Sequence, residues 1–183
     1  MSLENLISTD VDSEALRHDF LTAMRYTAAS VAVVTTDGPS GRAGVTVSAF
    51  SSLSADPPSV LVCIHQASPV LPVIQANGSL CVNLLDAGQS HVADSFAGRI
   101  AQWRENRFAC ADWEEPEGGA PQLQGALASL QCTLVQDVTY GSHHILIGQV
   151  QQAHCSESQG LLYADRAYRQ LGMPAPVQKE LYA

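Results

Sequence analysis

The chain is short of positive charge. Nine Lys and Arg stand against eighteen Asp and Glu in 183 residues, a formal net charge of −9 at pH 7. A protein that grips nucleic acid by its phosphates needs surplus cations, so this balance excludes a general nucleic-acid binder. Any phosphorylated ligand must be held by local donors such as hydroxyls, backbone N–H groups or a helix start. Long apolar runs are also missing. The run from Val60 to Ile64 is far too short to cross a bilayer, and no membrane association is expected. The N-terminal stretch "MSLENLISTDVDSEALRHDF" lacks the basic start, apolar core and small-residue cleavage site of a secretory signal, so a cytoplasmic location is expected. There is no CxxC pair, no GxGxxG behind a strand and no Walker lysine. Zinc-binding or dithiol motifs and a Rossmann domain are thereby excluded. The cysteines, Cys63, Cys81, Cys110, Cys132 and Cys155, are odd in number and widely spaced, as reduced thiols are. Cys63, Cys81 and Cys132 lie in apolar runs and are expected to pack as small hydrophobes.

What is present is one domain's worth of core. A chain of this length buries roughly 70% of the surface its unfolded form exposes, so no disulfide staple is needed. Residues 14–29 place Leu16, Phe20, Leu21 and Met24 at helical spacing behind a cap at Asp12 or Ser13. Two Val- and Thr-rich runs around "DGPSGRAG" predict a hairpin. "SVLVCIH" predicts a strand opened by Asp56-Pro57-Pro58. "SPVLPVIQANGSL" then predicts a short helix capped by Ser68, with Pro69 at its first position, Pro72 shortening or distorting it, and Asn77-Gly78 as its stop. A strand "SLCVNLL", a helix "GQSHVADSFAG", a covering loop through "PEGGAPQ" and a β-rich last third complete the pattern. Six to eight short strands with two or three helices favour a mainly β, antiparallel barrel with peripheral helices over a doubly wound sheet. The boundaries are an N-terminal extension over 1–13, the domain over 14–172 and a C-terminal tail over 173–183.

The run "GVTVSAFSSLSADPP" is unusual in its hydroxyls: Thr46, Ser48, Ser51, Ser52 and Ser54. It reads either as the solvent face of an antiparallel strand or as a binding edge. Strand alternation puts Thr46 and Ser48 on one face and Val45, Val47 and Ala49 on the other. A row of small donors and acceptors of this kind suits the rim of a planar heteroaromatic ligand. Ser68 reads either as an ordinary cap or as a phosphate seat, because unpaired N–H groups and the positive end of the dipole face outward at a helix start.

With these motifs in order, the sequence resembles the short-chain NAD(P)H:flavin reductases, the small reductase partners of two-component flavin monooxygenases. The resemblance is carried by "VAVVTTDGPSGRAGVTVSAFSSLSADPPSVLVCI", "LCVNLL", "RFA", "GALASLQC", "GSHHILIGQV" and "LLYADRAYRQL", roughly Phe20 to Leu171. It implies a Greek-key, FMN-binding split β-barrel, a homodimer, and FMN or FAD reduced by NADH, with NADPH as the other donor. It also implies a monooxygenase that accepts the reduced flavin. By matching position, Thr46, Val47, Ser48, Ala49, Ser51 and Ser52 run along the isoalloxazine ring and ribityl chain. Gln66, Ala67 and Ser68 form the phosphate-contacting turn, where the family frequently has Arg or Lys. His143 in "GSHH" lies beside the nicotinamide as the catalytic-site residue, and Tyr168 is an aromatic near nicotinamide or flavin. Ser142 stands where the family commonly has an acidic residue. His144 points the other way along a strand and is read as structural. Arg166 reads either as a neighbour of the pocket that takes Tyr168 or as a solvated charge, and the second is preferred.

Two other readings stand beside this one. A pyridoxamine-phosphate oxidase type enzyme would want a cation cluster around a second phosphate, and cations are few near these motifs. A non-catalytic flavin- or haem-binding module would leave His143 without a nicotinamide to touch. Hydride transfer between two cofactors needs no nucleophile, acid–base dyad or metal, which fits the absence of a triad or a His/Cys cluster. The acidic balance favours NADH over NADPH, whose extra phosphate usually wants an Arg nearby.

Overall fold

The computed structural model describes residues 13–172. Its elements run α1 (Ser13–Tyr26), β1 (Ala29–Ser30), β2 (Ala32–Thr36), β3 (Ala43–Val47), β4 (Phe50–Ala55), β5 (Pro58–His65), α2 (Leu71–Asn77), β6 (Ser79–Leu84), α3 (Ser90–Phe96), β7 (Trp113–Glu114), β8 (Gln122–Leu123), β9 (Ala128–Tyr140), β10 (His143–Cys155), β11 (Leu162–Ala164) and β12 (Ala167–Arg169). The architecture is mainly β with few helices, as expected. Short 3-10 turns at Ala101–Trp103 and Arg107–Cys110 occupy the covering segment, together with the small β7–β8 pair.

One seven-stranded antiparallel sheet dominates, in the order β3-β2-β6-β9-β10-β5-β4. Its two edge strands are consecutive in the chain, joined only by Ser48 and Ala49. Laid flat, six strand spacings would separate the edges by about 29 Å, while a two-residue link reaches only about 10 Å. The sheet must therefore curl until the end of β3 meets the start of β4. No ladder joins those two edges among the described residues.

β2 shows how the sequence specifies this. All five of its residues are buried, because period-two alternation sends Ala32 and Val34 into a core inside the curl and Val33 into a second core under α3. The inner core gathers Val62, Ile64, Leu80, Val82 and Leu146, with Ile74 from α2. The outer one packs Val92 and Phe96 of α3 against Leu85, Leu123 and Leu161, with Phe108 and Trp113 edge-on to Phe96. Each such side chain stabilises the fold by about 1.5–3 kcal/mol.

Three expectations need correction. The first helix ends at Tyr26, three residues early, and β1 follows; the Asp12 cap lies outside the described residues. It buries no residue, and Leu16, Phe20, Leu21 and Met24 are about half exposed. The second helix begins at Leu71, with Val70 at its cap and no capping side chain. A start at Pro69 would put Pro72 where the first helical N–H must donate, and proline has none. The chain instead places Pro72 in the first turn, undistorted, and ends the helix at left-handed Gly78 (φ 69°), whose N–H reaches Ile74 O. Cys81 and Cys132 are buried as expected, while Cys63 is half-buried. Burial pushes the Cys81 and Cys132 thiols up to about 12. No helix among the described residues is long and apolar enough to cross a membrane.

Candidate active site

The site is built where the curled sheet brings its edges together. β3 stops at Val47, so Ser48 and Ala49 are not strand residues, and the expected shared face for Thr46 and Ser48 ends there. Both link residues are exposed. Ala49 O accepts from Cys63 N–H at 2.9 Å, which lays the link along β5. β4 is an edge strand, and Ser51 and Ser52 are exposed on it, opposite Leu61 and Val60. Ser51 and Ser52 form an open edge, and Ser48 borders a cleft.

Thr46 is committed locally. Its hydroxyl donates to Ala93 O at 2.7 Å and ties β3 to α3, leaving only oxygen lone pairs for a ligand. Val47 belongs to the inner core, 8% exposed, and borders the cleft beside it.

Farther along the same sheet end, two turns meet. His143 pairs with His65 across β10 and β5, their rings edge to face with centroids 5.1 Å apart. Gln66 N–H donates to Ser142 O at 2.9 Å, so the 65–68 turn and the turn before β10 are fastened through backbone. Ala67 N–H donates to His65 Nδ1 at 3.0 Å, which makes Nε2 the protonated nitrogen of a neutral His65. The Ser142 hydroxyl lies 3.0 Å from His143 Nδ1. Ser68 is not a helix cap. Its N–H donates to His65 O at 2.8 Å and its carbonyl closes a turn with Leu71 N–H, so the expected helix-start seat is absent at this residue. His144 turns away and meets Asp137 at 2.7 Å. Partial burial would raise the Asp137 carboxyl, but hydrogen bonds from Gln75 and His144 outweigh it and hold the group below its ordinary value.

Two clefts flank the Ser48 link. The larger, about 660 Å³, lies between α1 and the link, with His18 and Arg25 on one wall and Tyr163 and Arg166 on the other. The smaller, about 160 Å³, is bordered by Thr46, Ser48, Arg99, Tyr163 and Tyr168. Ser48 and Tyr163 belong to both. Tyr168 and Tyr163 stack edge to face at 5.5 Å. The Tyr168 hydroxyl donates to Asp94 Oδ1 at 2.8 Å, and Arg99 bonds the same carboxylate oxygen at 2.9 Å. Burial, then the Asp94 hydrogen bond, pushes the Tyr168 phenol up to about 12.

The sequence motifs gave no sign of Asp94, Arg99 or Tyr163 at these clefts. Arg166 is exposed, in keeping with a solvated charge, and it also lines the larger cleft from the two-residue turn between β11 and β12, where Asp165 (φ 49°) and Arg166 (φ 60°) both adopt left-handed backbone. Such a turn favours Asn-Gly, and each left-handed non-glycine costs about 1 kcal/mol or more. The sequence signal was the "DR" between two strand runs with no glycine.

Comparison with known proteins places this arrangement in a family. The chain is 42% identical to an FMN reductase (NADH), RutF, of Klebsiella pneumoniae over 157 residues, covering 85% of this chain and 94% of that one. Among solved structures, it resembles BorF, the flavin reductase component of a bacterial two-component tryptophan halogenase, at TM-score 0.75 and 33% identity, over 89% of this chain and 100% of that one. It also resembles the Streptomyces globisporus NADH:FAD oxidoreductase SgcE6, solved in complex with NAD and FAD fragments, at TM-score 0.79 and 29% identity, over 87% and 95% of the two chains. The flavin reductase like domain family matches residues 24–172, and the chain belongs to that family.

Proposed function

We propose that this chain is an NADH:flavin oxidoreductase that reduces FMN or FAD and delivers the reduced flavin to a separate monooxygenase. The observation that carries the reading is the exposed Ser48-Ala49 link, which belongs to no ladder, is flanked by two clefts, and is bonded through Ala49 O to Cys63 N–H of β5. Residues present there fit a flavin: small side chains at Ser48 and Ala49 admit a flat ring, edge hydroxyls at Ser51 and Ser52 suit a ribityl chain, and the aromatic pair Tyr163–Tyr168 can cover a ring face.

The cofactors supply the hydride chemistry, from nicotinamide C4 to flavin N5. The protein's part is to orient. Ser48 and Ala49 would hold one ring, the 65–68 turn would receive the phosphate, and His143, which meets the Ser142 hydroxyl and the His65 ring, would contact the nicotinamide. Gln66 brings no cation to that turn, which supports a flavin that exchanges with solution and leaves as a product. The exposed Val135, Val138 and Tyr140 of the β9–β10 hairpin support a homodimer. The decisive experiment follows NADH absorbance with added FMN or FAD. Turnover with either flavin is the expected result, and absence of both binding and turnover overturns the reading in favour of a different ligand.

A further inference from the structure

We infer that the 660 Å³ cleft beneath α1 seats the diphosphate of a dinucleotide, with Arg166 as its principal cation. This rests on the reading above, since NADH and FAD are the two dinucleotides such an enzyme meets. The volume falls within the range of small-molecule sites and is about four times that of the neighbouring cleft, about 160 Å³. Its charge is opposite to that of the chain. Net charge is −9, yet the described residues lining this cleft include His18, Arg25 and Arg166 and no Asp or Glu.

The cations differ in what they have left to give. Arg25 Nε is spent on Asp165 at 2.6 Å, and across the link Arg99 is spent on Asp94. Arg166 has no hydrogen-bond or ion-pair partner among the described residues. Its backbone is nevertheless fixed. Asp165 N–H donates to Arg25 O at 2.7 Å and the Asp165 carboxylate holds the Arg25 side chain, so the end of α1 clamps the turn that carries Arg166. A strained, clamped position that glycine or asparagine would occupy with less cost holds a free guanidinium on the wall of a cation-lined cleft. A guanidinium's fork suits phosphate oxygens, and the cleft shares Ser48 and Ala49 with the proposed ring seat, so a diphosphate here adjoins the ring.

The test is calorimetric binding of ADP and adenosine to the whole protein, wild type against Arg166→Asn and Arg166→Lys. Asparagine tolerates the left-handed backbone, so the first variant removes charge without forcing the turn. Arg166→Asn is expected to lose about tenfold in ADP affinity and to leave adenosine unmoved, with Lys in between. Added salt should weaken ADP binding more in the wild type than in Arg166→Asn. Should Arg166→Asn melt early, the Lys variant decides: affinity recovered toward wild type sustains the seat, and no recovery overturns it. No ADP binding by the wild type, or equal ADP affinity in wild type and Arg166→Asn, also overturns it. Kinetics then identify the source. A similar rise in KM for NADH with FMN as acceptor assigns the seat to the nicotinamide dinucleotide, and a rise for FAD without one for FMN assigns it to the flavin. Loss of ADP affinity in a chain that reduces no flavin would uphold the seat and refute the enzyme reading instead.

Discussion

Tyr168 gives its phenolic proton to Asp94, 2.8 Å away, and the same carboxylate oxygen holds Arg99. The arrangement fixes a ring at the smaller cleft and keeps its hydroxyl occupied. Burial first, and the Asp94 bond second, raise this phenol from its ordinary 10.0 to about 12. A folded state that holds a proton more tightly than the unfolded chain is favoured below the unfolded value and loses that advantage as pH rises through the folded one. Stability of the wild type should therefore fall between about pH 10 and about pH 12, and fall less in Tyr168→Phe. Urea midpoints across that window measure it. Equal slopes in the two proteins would show that the Asp94 bond does not hold the proton. At neutral pH the Phe variant should keep flavin binding, because the Tyr168 hydroxyl is already occupied by Asp94 and the ring is retained.

His143 is exposed, and among the described residues its ring meets the Ser142 hydroxyl and the His65 ring, so truncating it should cost the fold little, within about 0.5 kcal/mol. If it contacts the nicotinamide, His143→Ala should raise the KM for NADH several-fold or slow reduction while flavin affinity stays near wild type. Ser142→Ala should give a smaller change in the same direction, since it only orients the ring. Equal losses in flavin affinity and melting temperature would assign His143 a structural role.

Strand order along the chain was legible because β2, β5 and β6 carry apolar runs, buried on both faces in β2 and β6, and turn residues mark their ends. Gly78 likewise ends α2 as its left-handed φ requires. What misled was local reasoning about a helix start. Ser68-Pro69 has the composition of a cap, but Pro72 three residues on decides where the helix can begin. Composition also hid the cations that line the larger cleft. Arg166 is separated from Ser48 by more than a hundred residues, and only the sheet's curl and the clamp from Arg25 bring it to the same cleft. The β10 strand runs to Cys155, well past the expected Val150, because its outer half pairs with β9 and needs no core to pattern it.

Asn83 is fully buried in β6, and its carboxamide joins four segments. Its oxygen accepts from Leu123 N–H at 2.8 Å and Ser129 Oγ at 3.0 Å, while its nitrogen donates to Val33 O at 3.2 Å. Asn83→Ala would leave a buried N–H and a buried hydroxyl without partners. The expected cost is about 2–3 kcal/mol, or roughly 5–10 °C in Tm for a domain of this size. Thermal and urea unfolding measure it. A loss below about 0.5 kcal/mol would mean that water or a rearranged loop replaces the carboxamide.

The last prediction concerns the turn from His65 to Ser68. Its backbone is locked to the neighbouring turn by Gln66 N–H to Ser142 O, but the Gln66 side chain is exposed and uncharged. If the flavin phosphate lies against this turn, Gln66→Arg adds a charge-assisted contact and should tighten FMN by about tenfold, the effect shrinking with salt. Riboflavin has no phosphate and should bind the variant and the wild type alike. Ser68→Ala separates two origins of the seat. A helix start would have supplied dipole and N–H groups whatever the side chain, but α2 begins three residues later and Ser68 N–H is already spent on His65 O. Any phosphate contact from Ser68 must therefore come from its hydroxyl, and its loss should weaken FMN by a few-fold to tenfold without touching riboflavin. Fluorescence titration of both flavins against both variants decides the matter. Parallel shifts for FMN and riboflavin would place the phosphate away from this turn and leave the Arg166 cleft as the anion site.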